Sequence, residues 1–238
     1  IKLETGMHRL GFEENEIDEL IEKIKNSDKI YIQSVFSHLA ASEDKKHDDF
    51  TRLQIKKFEL LSGRIIDALE YPVIRHILNS SGILRFPEAQ FEMVRLGIGI
   101  YGVEYFNSPV EPIGLQNVST LKSTISQIKS VAAGDTVGYG RKGKADQSMK
   151  IGVIPIGYAD GLNRKLGNGN GKLLINGHFA PIIGEVFMDM CMVDITHIPS
   201  HAGDEVIVFG AEYPVTEFAK NLGTIPYEVL TGVSRRVK

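Results

Sequence analysis

Tyr158 lies in the run Gly157-Tyr158-Ala159-Asp160-Gly161, flanked by glycines at the end of a β-rich stretch. A phenol held that way stands free of local packing, so it is a candidate proton-transfer group as well as a candidate packing residue. Farther on comes Met188-Asp189-Met190-Cys191-Met192-Val193-Asp194, an apolar run that carries acids. Gly97-Ile98-Gly99-Ile100-Tyr101-Gly102 has the letters of a dinucleotide fingerprint, but that motif needs a helix after its turn, and here a β-rich segment follows. A phosphate contact through a backbone N–H near Gly97 fits better, because glycine lets an anion approach the main chain. The 7 histidines show no metal spacing: His197 and His201 flank Pro199, which breaks a helix face, and no cysteine or acid completes a set. No metal is expected. No G-x-S-x-G occurs, and the single cysteine, Cys191, reads as a small buried hydrophobe.

The elements that must position these groups fall into two kinds. Residues 1–3 read as a strand end, 13–26 as a helix with acids early and lysines late, and 29–35 as a β-branched and aromatic strand. Residues 48–69 repeat a helical period through Phe50, Leu53, Ile55, Phe58, Leu61 and Ile65. A strand over 73–78, a short helix over 86–94 and a strand over 97–103 complete the pattern of parallel β-α units. After a loop over 104–112 the chain turns into short β segments at 118–131, 149–156, 172–175, 180–184, 186–195 and 205–209. Asn176-Gly177 is a hairpin-turn signal, 167–171 a loop, and helices are expected over 215–221 and from Tyr227. The fold class is therefore α/β plus β, divided at 1–108 and 109–238, the second part a small antiparallel barrel or sandwich.

The bulk numbers narrow the function classes. The 238 residues are 42% hydrophobic and 24% charged, as in folded globular proteins, and allow one large domain or two ordinary ones. A net charge of -3 gives no electrostatic reason to expect nucleic acid or an anionic membrane surface. The basic clusters at 141–144 and 234–238 read as solvated faces. No apolar run reaches membrane-spanning length and no signal-peptide pattern opens the chain, so the cytoplasm is the expected location. The chain starts on Ile1 inside an apolar run, and three or four β-α units are too few for a barrel of roughly 250 residues. These units make either a small open sheet or, as the start inside an apolar run favours, the second half of a β/α (TIM-type) barrel with its amino-terminal half removed.

Four segments, in order and spacing, resemble the alanine racemase family: IKLETGMHRLGF at 1–12, NSSGILRFPEAQFEMVRLGIGIYG at 79–102, IGYADG at 156–161 and PIIGEVFMDMCMVDIT at 181–196. The resemblance extends over essentially the whole chain. It implies a pyridoxal-phosphate-binding β/α barrel joined to a carboxy-terminal β domain, and the interconversion of L- and D-alanine for bacterial cell-wall precursors. Such a reaction needs two acid/base groups on opposite faces of the α-carbon. By resemblance one is a cofactor lysine and the other is Tyr158, reaching in from the partner subunit of a head-to-tail homodimer. A phenol with an ordinary pKa near ~10 needs cationic neighbours to act as a base at neutral pH, and His38 and Arg95 match a hydrogen-bonded relay behind it.

The remaining roles also come from the resemblance. Arg95 matches the arginine that faces the pyridine nitrogen; it donates a hydrogen bond and leaves that nitrogen neutral. Phosphate contacts fall to Ser80, the backbone at Gly97 and Ile98, and Tyr227. Arg9 matches the arginine near the cofactor phenolate and the substrate carboxylate, and Lys2 matches a lysine that many members carbamylate. Met188 and Asp189 match residues that line the substrate site from the partner's β domain. The family's cofactor lysine, in a lysine-alanine-asparagine-alanine-tyrosine-glycine type segment, has no counterpart here, so this chain alone is expected to be inactive. Some bacteria fuse the racemase behind a cell-wall peptide ligase, which the missing front would accommodate. Rival readings are a racemase for another small amino acid such as serine, and a non-catalytic dimerisation or binding module. Decarboxylases of the same plan fit less well, because they prefer an acidic partner where Arg95 stands.

Overall fold

In the computed structural model, which describes residues 1–107 and 113–238, the first β-branched runs form short parallel strands backed by helices. Strand β1 (Ser34–Phe36) pairs in parallel with β2 (Ile74–His76), and Lys2 bridges in parallel to Phe36, so three successive stretches lie side by side in chain order. The crossovers are helices α1 (Ile17–Lys25) and α2 (Asp48–Ala68). Asp18 and Glu19 sit in the first turn of α1 and Lys23 and Lys25 in its last, which complements the helix dipole.

Leu3, Val35, Leu39, Phe58, Leu61, Ile65, Ile77 and Leu78 close a core between these strands and α2. Each fully buried large side chain contributes ~1.5–3 kcal/mol. The inner face of α2 differs from the expected one. Phe50 and Leu53 are exposed, and the buried positions are Thr51, Gln54, Phe58, Leu61, Ser62 and Ile65. Gln54 displaces an apolar residue because its amide serves the backbone: Oε1 accepts from the Ala40 N–H at 2.9 Å and Nε2 donates to the His38 carbonyl at 3.3 Å.

Three further expectations change in this region. The run 29–35 becomes strand only from Ser34, with Tyr31 exposed and stacked on Tyr71. The helix expected over 86–94 is instead α3 (Ser80–Arg85), capped by Asn79 Oδ1 on the Gly82 N–H, followed by a 3₁₀ turn at Pro87–Ala89. Pro87 has no amide to continue α3. The strand expected over 97–103 is a 3₁₀ turn over Ile98–Tyr101, because the Gly97 and Gly99 N–H groups turn to Ser80 Oγ and not to a neighbouring strand.

The chain divides into two units, Ile1–Ile100 with Glu104–Leu115, and Tyr101–Val103 with Gln116–Lys238. The expected division at 108/109 and the prolines of its loop lie outside the described residues. The second unit is built on a curled antiparallel sheet. Residues 118–131 give not one strand but two, β3 (Leu121–Thr124) and β4 (Gln127–Val131), which occupy opposite ends of a seven-stranded order β3-β11-β8-β9-β10-β7-β4. Between them the Ile125 N–H bonds Asp204 O at 2.9 Å and the Ser126 N–H bonds Val153 O at 2.9 Å, so one bent strand joins the two ends. That curl leaves the sheet few open edges.

A small hairpin, β5 (Thr136–Val137) and β6 (Gly143–Lys144), stands apart from the sheet. Then follow β7 (Met149–Ile154), β8 (Lys172–Ile175), β9 (His178–Ile183), β10 (Cys191–Asp194) and β11 (Glu205–Phe209). Asn176 and Gly177 turn β8 into β9 at φ 48° and 77°, both positive as a tight hairpin requires. The strand expected over 186–195 is shortened to β10, since the Phe187 N–H closes a turn onto Met190 O at 2.8 Å. The helices expected over 215–221 and from Tyr227 are α4 (Val215–Leu222), which ends on Gly223 at φ 70°, and α5 (Pro226–Gly232), which begins with proline. Among the described residues no helix is long and apolar enough to cross a membrane.

Candidate active site

Arg95 organises the first unit. Its guanidinium sits where β1 and β2 end, Nη2 donating to Ser37 O at 2.6 Å and Ile77 O at 3.2 Å, Nη1 to His76 O at 3.1 Å. Two imidazoles complete the set: His76 Nδ1 meets Nη1, and His38 Nδ1 lies 3.3 Å from Nη2. A guanidinium only donates, so both Nδ1 atoms accept and both rings carry their proton on Nε2. The cation also lies 5.3 Å over the Phe36 ring, which stacks on His76. Of its five N–H bonds, only Nε–H is paired with nothing among the described residues.

The electrostatics keep the histidines neutral. Burial, then the Arg95 charge, pulls His76 down from 6.5 to about 4. His38 is lowered by burial first, then by Arg95, Arg9 and Lys2, so these four groups of the first unit form one electrostatic cluster. A neutral His38 offers Nε2–H as a hydrogen-bond donor, suited to holding a phenolate. Burial lowers the proton affinity of Arg95, yet a guanidinium stays charged at neutral pH.

Ser80, at the start of α3, is buried, and the N–H groups of Gly97 and Gly99 reach its Oγ at 2.9 and 3.2 Å. The hydroxyl accepts both bonds, and no acceptor pairs with its own proton among the described residues. A Cβ at Gly97 would meet only Ser80 Oγ, at 3.5 Å, so space lies open beside these donors. Ile98 is buried in the same turn. A hydroxyl that accepts two main-chain N–H groups and keeps its own proton to donate, beside open space, suits an anionic oxygen.

Lys2 and Arg9 flank a tight loop. The Phe12 N–H returns to Lys2 O and the Glu4 N–H to Phe12 O, each at 2.9 Å, while the Glu4 carboxylate accepts the Gly6 N–H. Burial raises the Glu4 pKa, but the main-chain N–H groups of His8, Gly6 and Met7 outweigh it and hold the carboxyl below its ordinary value. Arg9 is exposed on this loop and Lys2 half-buried at its base.

In the second unit the Gly157–Gly161 turn runs against the Phe187–Asp189 segment, the Tyr158 N–H on Phe187 O at 2.9 Å and the Ala159 N–H on Met188 O at 2.8 Å. Its glycines are there for close approach, a reason that differs from the expected one. A Cβ at Gly157 would lie 2.4 Å from Phe187 O, and one at Gly161 2.5 Å from Gly232 O. Asp160 holds the turn by accepting the Gly157 N–H at 2.8 Å and pairing with Arg236 at 2.8 Å. Tyr158 is 44% exposed and lines a cavity of about 390 Å³ with Arg164, Phe218, Leu222, Glu228 and Val229. Met188 and Asp189 are exposed beside it, and Tyr227 is exposed on α5.

Of the residues expected to act together, Arg95, His38, Ser80 and Gly97 form contacts within the first unit, with Arg9 and Lys2 felt through charge. Tyr158, Met188 and Asp189 adjoin one another in the second. Sequence reasoning missed His76, Gln54 and Tyr139. A buried histidine between Arg75 and Ile77 carries no local signal, and Gln54 shows only as a polar residue in an apolar helical stripe. Tyr139 had one: it stands between Gly138 and Gly140, at φ 81° and 65°, on the tip of the β5–β6 hairpin, 75% exposed and with its ring 4.8 Å from that of Phe187. The basic stretches are largely exposed, as expected, and within them Lys142 pairs with Glu185 and Arg236 with Asp160.

A parallel β/α unit with a pinned guanidinium and an anion-ready hydroxyl, carried on one chain with a curled β unit bearing exposed phenols, defines a two-domain protein of the α/β-plus-β class. The alanine racemase N-terminal domain model matches residues 1–105 and the alanine racemase C-terminal domain model residues 118–238. The chain belongs to the alanine racemase family. It is 40% identical over 246 aligned residues to alanine racemase 1 of Clostridium acetobutylicum, covering all of this chain and 63% of that protein. Among solved structures it is similar to alanine racemase from Bacillus anthracis with bound L-Ala-P, at 30% identity and TM-score 0.91, covering 100% of this chain and 62% of that one. It is similar also to alanine racemase from Bartonella henselae with covalently bound pyridoxal phosphate, at 32% identity and TM-score 0.86, covering 100% and 64%. The chain thus spans 62 to 64% of the length of these proteins.

Proposed function

We propose that this chain forms the greater part of a pyridoxal-phosphate alanine racemase, working in the cytoplasm as a homodimer that interconverts L- and D-alanine for the cell wall. Its first unit is read as the second half of a β/α barrel, and residues 1–108 and 109–238 as the two domains. The observation that carries the reading is Arg95, whose Nη hydrogens are all engaged and whose Nε–H alone remains to meet a ring nitrogen. The serine-directed and non-catalytic alternatives have less support, since the relatives described above are alanine racemases.

The residues present fit the cofactor. Ser80 with the backbone at Gly97 and Ile98 would hold its phosphate, the open space at Gly97 leaving room for an oxygen; Arg95 would face its pyridine nitrogen and Arg9 its phenolate. When bound, pyridoxal phosphate supplies the electron sink that acidifies the α-hydrogen of alanine. Arg95 donates one hydrogen bond and, staying protonated, gives up no proton. Arg9 binds the alanine carboxylate, helped by a carbamylated Lys2, and Met188 and Asp189 limit the room for the side chain. Tyr158, reaching in from the other subunit of the dimer, moves the proton on one face of the α-carbon, with the His38 Nε2–H donating a hydrogen bond to its oxygen.

A second reading gives that proton to Tyr139. It is the more exposed phenol, it projects from a hairpin tip between two glycines, and its ring packs at a tilt against Phe187, the residue before Met188. Removal of α-hydrogen in D₂O separates the two. In the racemase that contains this chain, the phenylalanine variant of the active tyrosine stops exchange from one enantiomer while the other continues. If neither Y158F nor Y139F does so, the phenol mechanism is wrong. If the parent protein forms no D-alanine from L-alanine, the family activity does not extend to it. This chain alone is expected to form none.

A further inference from the structure

Three segments of the second unit meet at one carboxylate. Glu185 keeps only 10% of its side chain exposed, with Lys142 Nζ 2.5 Å from Oε1, Arg164 Nη2 3.1 Å from Oε2, and Asn168 Nδ2 3.3 Å from Oε1. Lys142 belongs to the tip of the β5–β6 hairpin that carries Tyr139. Arg164 and Asn168 belong to the loop that follows the Tyr158 turn. Glu185 itself leads directly into Phe187, Met188 and Asp189.

The main chain makes the same junction. A Cβ at Gly143 would lie 3.0 Å from Gly184 N, one at Gly167 would lie 2.9 Å from Gly184 O, and the Asn168 N–H donates to Gly184 O at 2.7 Å. The hairpin tip bends through positive φ at Gly138, Gly140 and Arg141, and Arg141 Nε bonds only back to Thr136 Oγ1 of the same hairpin. The described side-chain ties from the tip to the rest of the unit are therefore the tilted Tyr139–Phe187 ring contact and the Lys142–Glu185 pair.

We propose that Glu185 is a positioning residue: its carboxylate fixes the Tyr139 hairpin and the Tyr158 loop against the Phe187–Asp189 segment, and so sets where a phenol stands relative to Met188 and Asp189. The catalytic consequence rests on the reading of this unit as the carrier of a proton-transfer phenol. The physical reason lies in the asymmetry of the cluster. The carboxylate is covered while Lys142 and Arg164 remain 58% and 63% exposed, so the cations stay together only because both bond to the same anion. Without it they repel and each takes its segment into solvent. Lys142, Asn168 and Arg164 outweigh burial and hold the carboxyl at about 2, so the clamp stays ionised through the neutral and mildly acidic range.

Two arms test it. In the chain itself, backbone amide order parameters of Gly138 and Gly140 should fall from about 0.85 to below about 0.6 in E185A. K142M, an exposed-side substitution that keeps the fold if E185A does not, should loosen the hairpin alone, and E185D should restore part of the order. In the racemase that contains this chain, E185A should lower kcat by about 100-fold, the size of effect expected from a misplaced reacting group, with KM changed less than about threefold. The K142M/E185A double variant should be no slower than E185A. Unchanged order parameters in E185A and K142M overturn the clamp, and mobile tips with unchanged kcat overturn its role in catalysis. A wild-type parent that does not racemise alanine sinks the functional reading, while the order parameters still decide the clamp.

Discussion

Protonating His76 should unlock Arg95, and the cost can be worked from the site. The imidazole is buried against Phe36 with Nδ1 accepting from Arg95, so a second proton would both break that bond and place a cation beside the guanidinium. Its pKa accordingly falls from 6.5 to about 4, burial being the larger cause and Arg95 the next. Because the unfolded chain takes up the proton first, the neutral ring's contribution is fully present above pH 6.5 and is lost as the pH falls through about 4. A tenfold change in proton affinity is ~1.4 kcal/mol, which puts the upper value near ~3 kcal/mol. Solvent screening at the open side of the cluster reduces it to roughly 2 kcal/mol. The assay is urea unfolding followed at the helical circular dichroism band, which the longer helices α1 and α2 of the first unit dominate, at a series of pH values from 7 to 4. The comparison is with H76Q, whose amide oxygen can accept from Arg95 and does not titrate. The wild type should lose ~2 kcal/mol more than H76Q over that range. Parallel pH profiles for the two proteins would refute the assignment of a neutral, Arg95-bonded His76.

Other outcomes follow from single contacts. G157A places a Cβ 2.4 Å from Phe187 O and 2.5 Å from Asp189 N, so the second unit should lose at least ~1–3 kcal/mol; an unchanged melting temperature would contradict this packing. S80A removes the hydroxyl on which Gly97 and Gly99 converge, and pyridoxal phosphate should bind about tenfold or more weakly by fluorescence titration, an effect of ~1–3 kcal/mol; equal affinity would remove Ser80 from the phosphate site. R95K keeps the charge but cannot reach the carbonyls of Ser37, His76 and Ile77 together, so chemical denaturation should show a loss of ~1–3 kcal/mol for each acceptor left bare. Cys191 is buried, and its thiol is pushed up to about 12, so iodoacetamide at pH 8 should leave it unmodified until the protein unfolds; mass spectrometry of the native protein reads this directly.

Much of the architecture was legible along the chain because it rests on short-range patterning. The dipole-matched α1 and the Asn176-Gly177 hairpin announce themselves through local conformational preference, and α4 and α5 begin within a residue of where they were expected. Where expectation failed, a distant partner outbid local propensity. The β-branched stretch from Ile98 coils into a 3₁₀ turn because its flanking amides face Ser80 far back along the chain. Phe50 and Leu53 turn outward because Gln54 is drawn in by the backbone at His38 and Ala40.

The candidate residues divide the same way. Linear motifs located Arg95, Ser80, Gly97, Tyr158, Met188 and Asp189, since each lies in a short run of fixed composition. What a given residue touches had to wait for the fold. The Gly157–Gly161 run looked like a device for freeing a tyrosine, yet its glycines are required by backbone packed against backbone. His76, a second glycine-flanked phenol on a hairpin tip, and a carboxylate joining three segments gained meaning only once strands far apart in number lay side by side. Sequence alone determined the β/α-to-β plan and the family likeness and supplied a set of candidate side chains, because composition, periodicity and short motifs are local properties. Tertiary structure decided which histidine stays neutral, which N–H of Arg95 remains to donate and which anion gathers the phenol-bearing loops, because burial and Coulomb interaction depend on distance in space and not on separation along the chain.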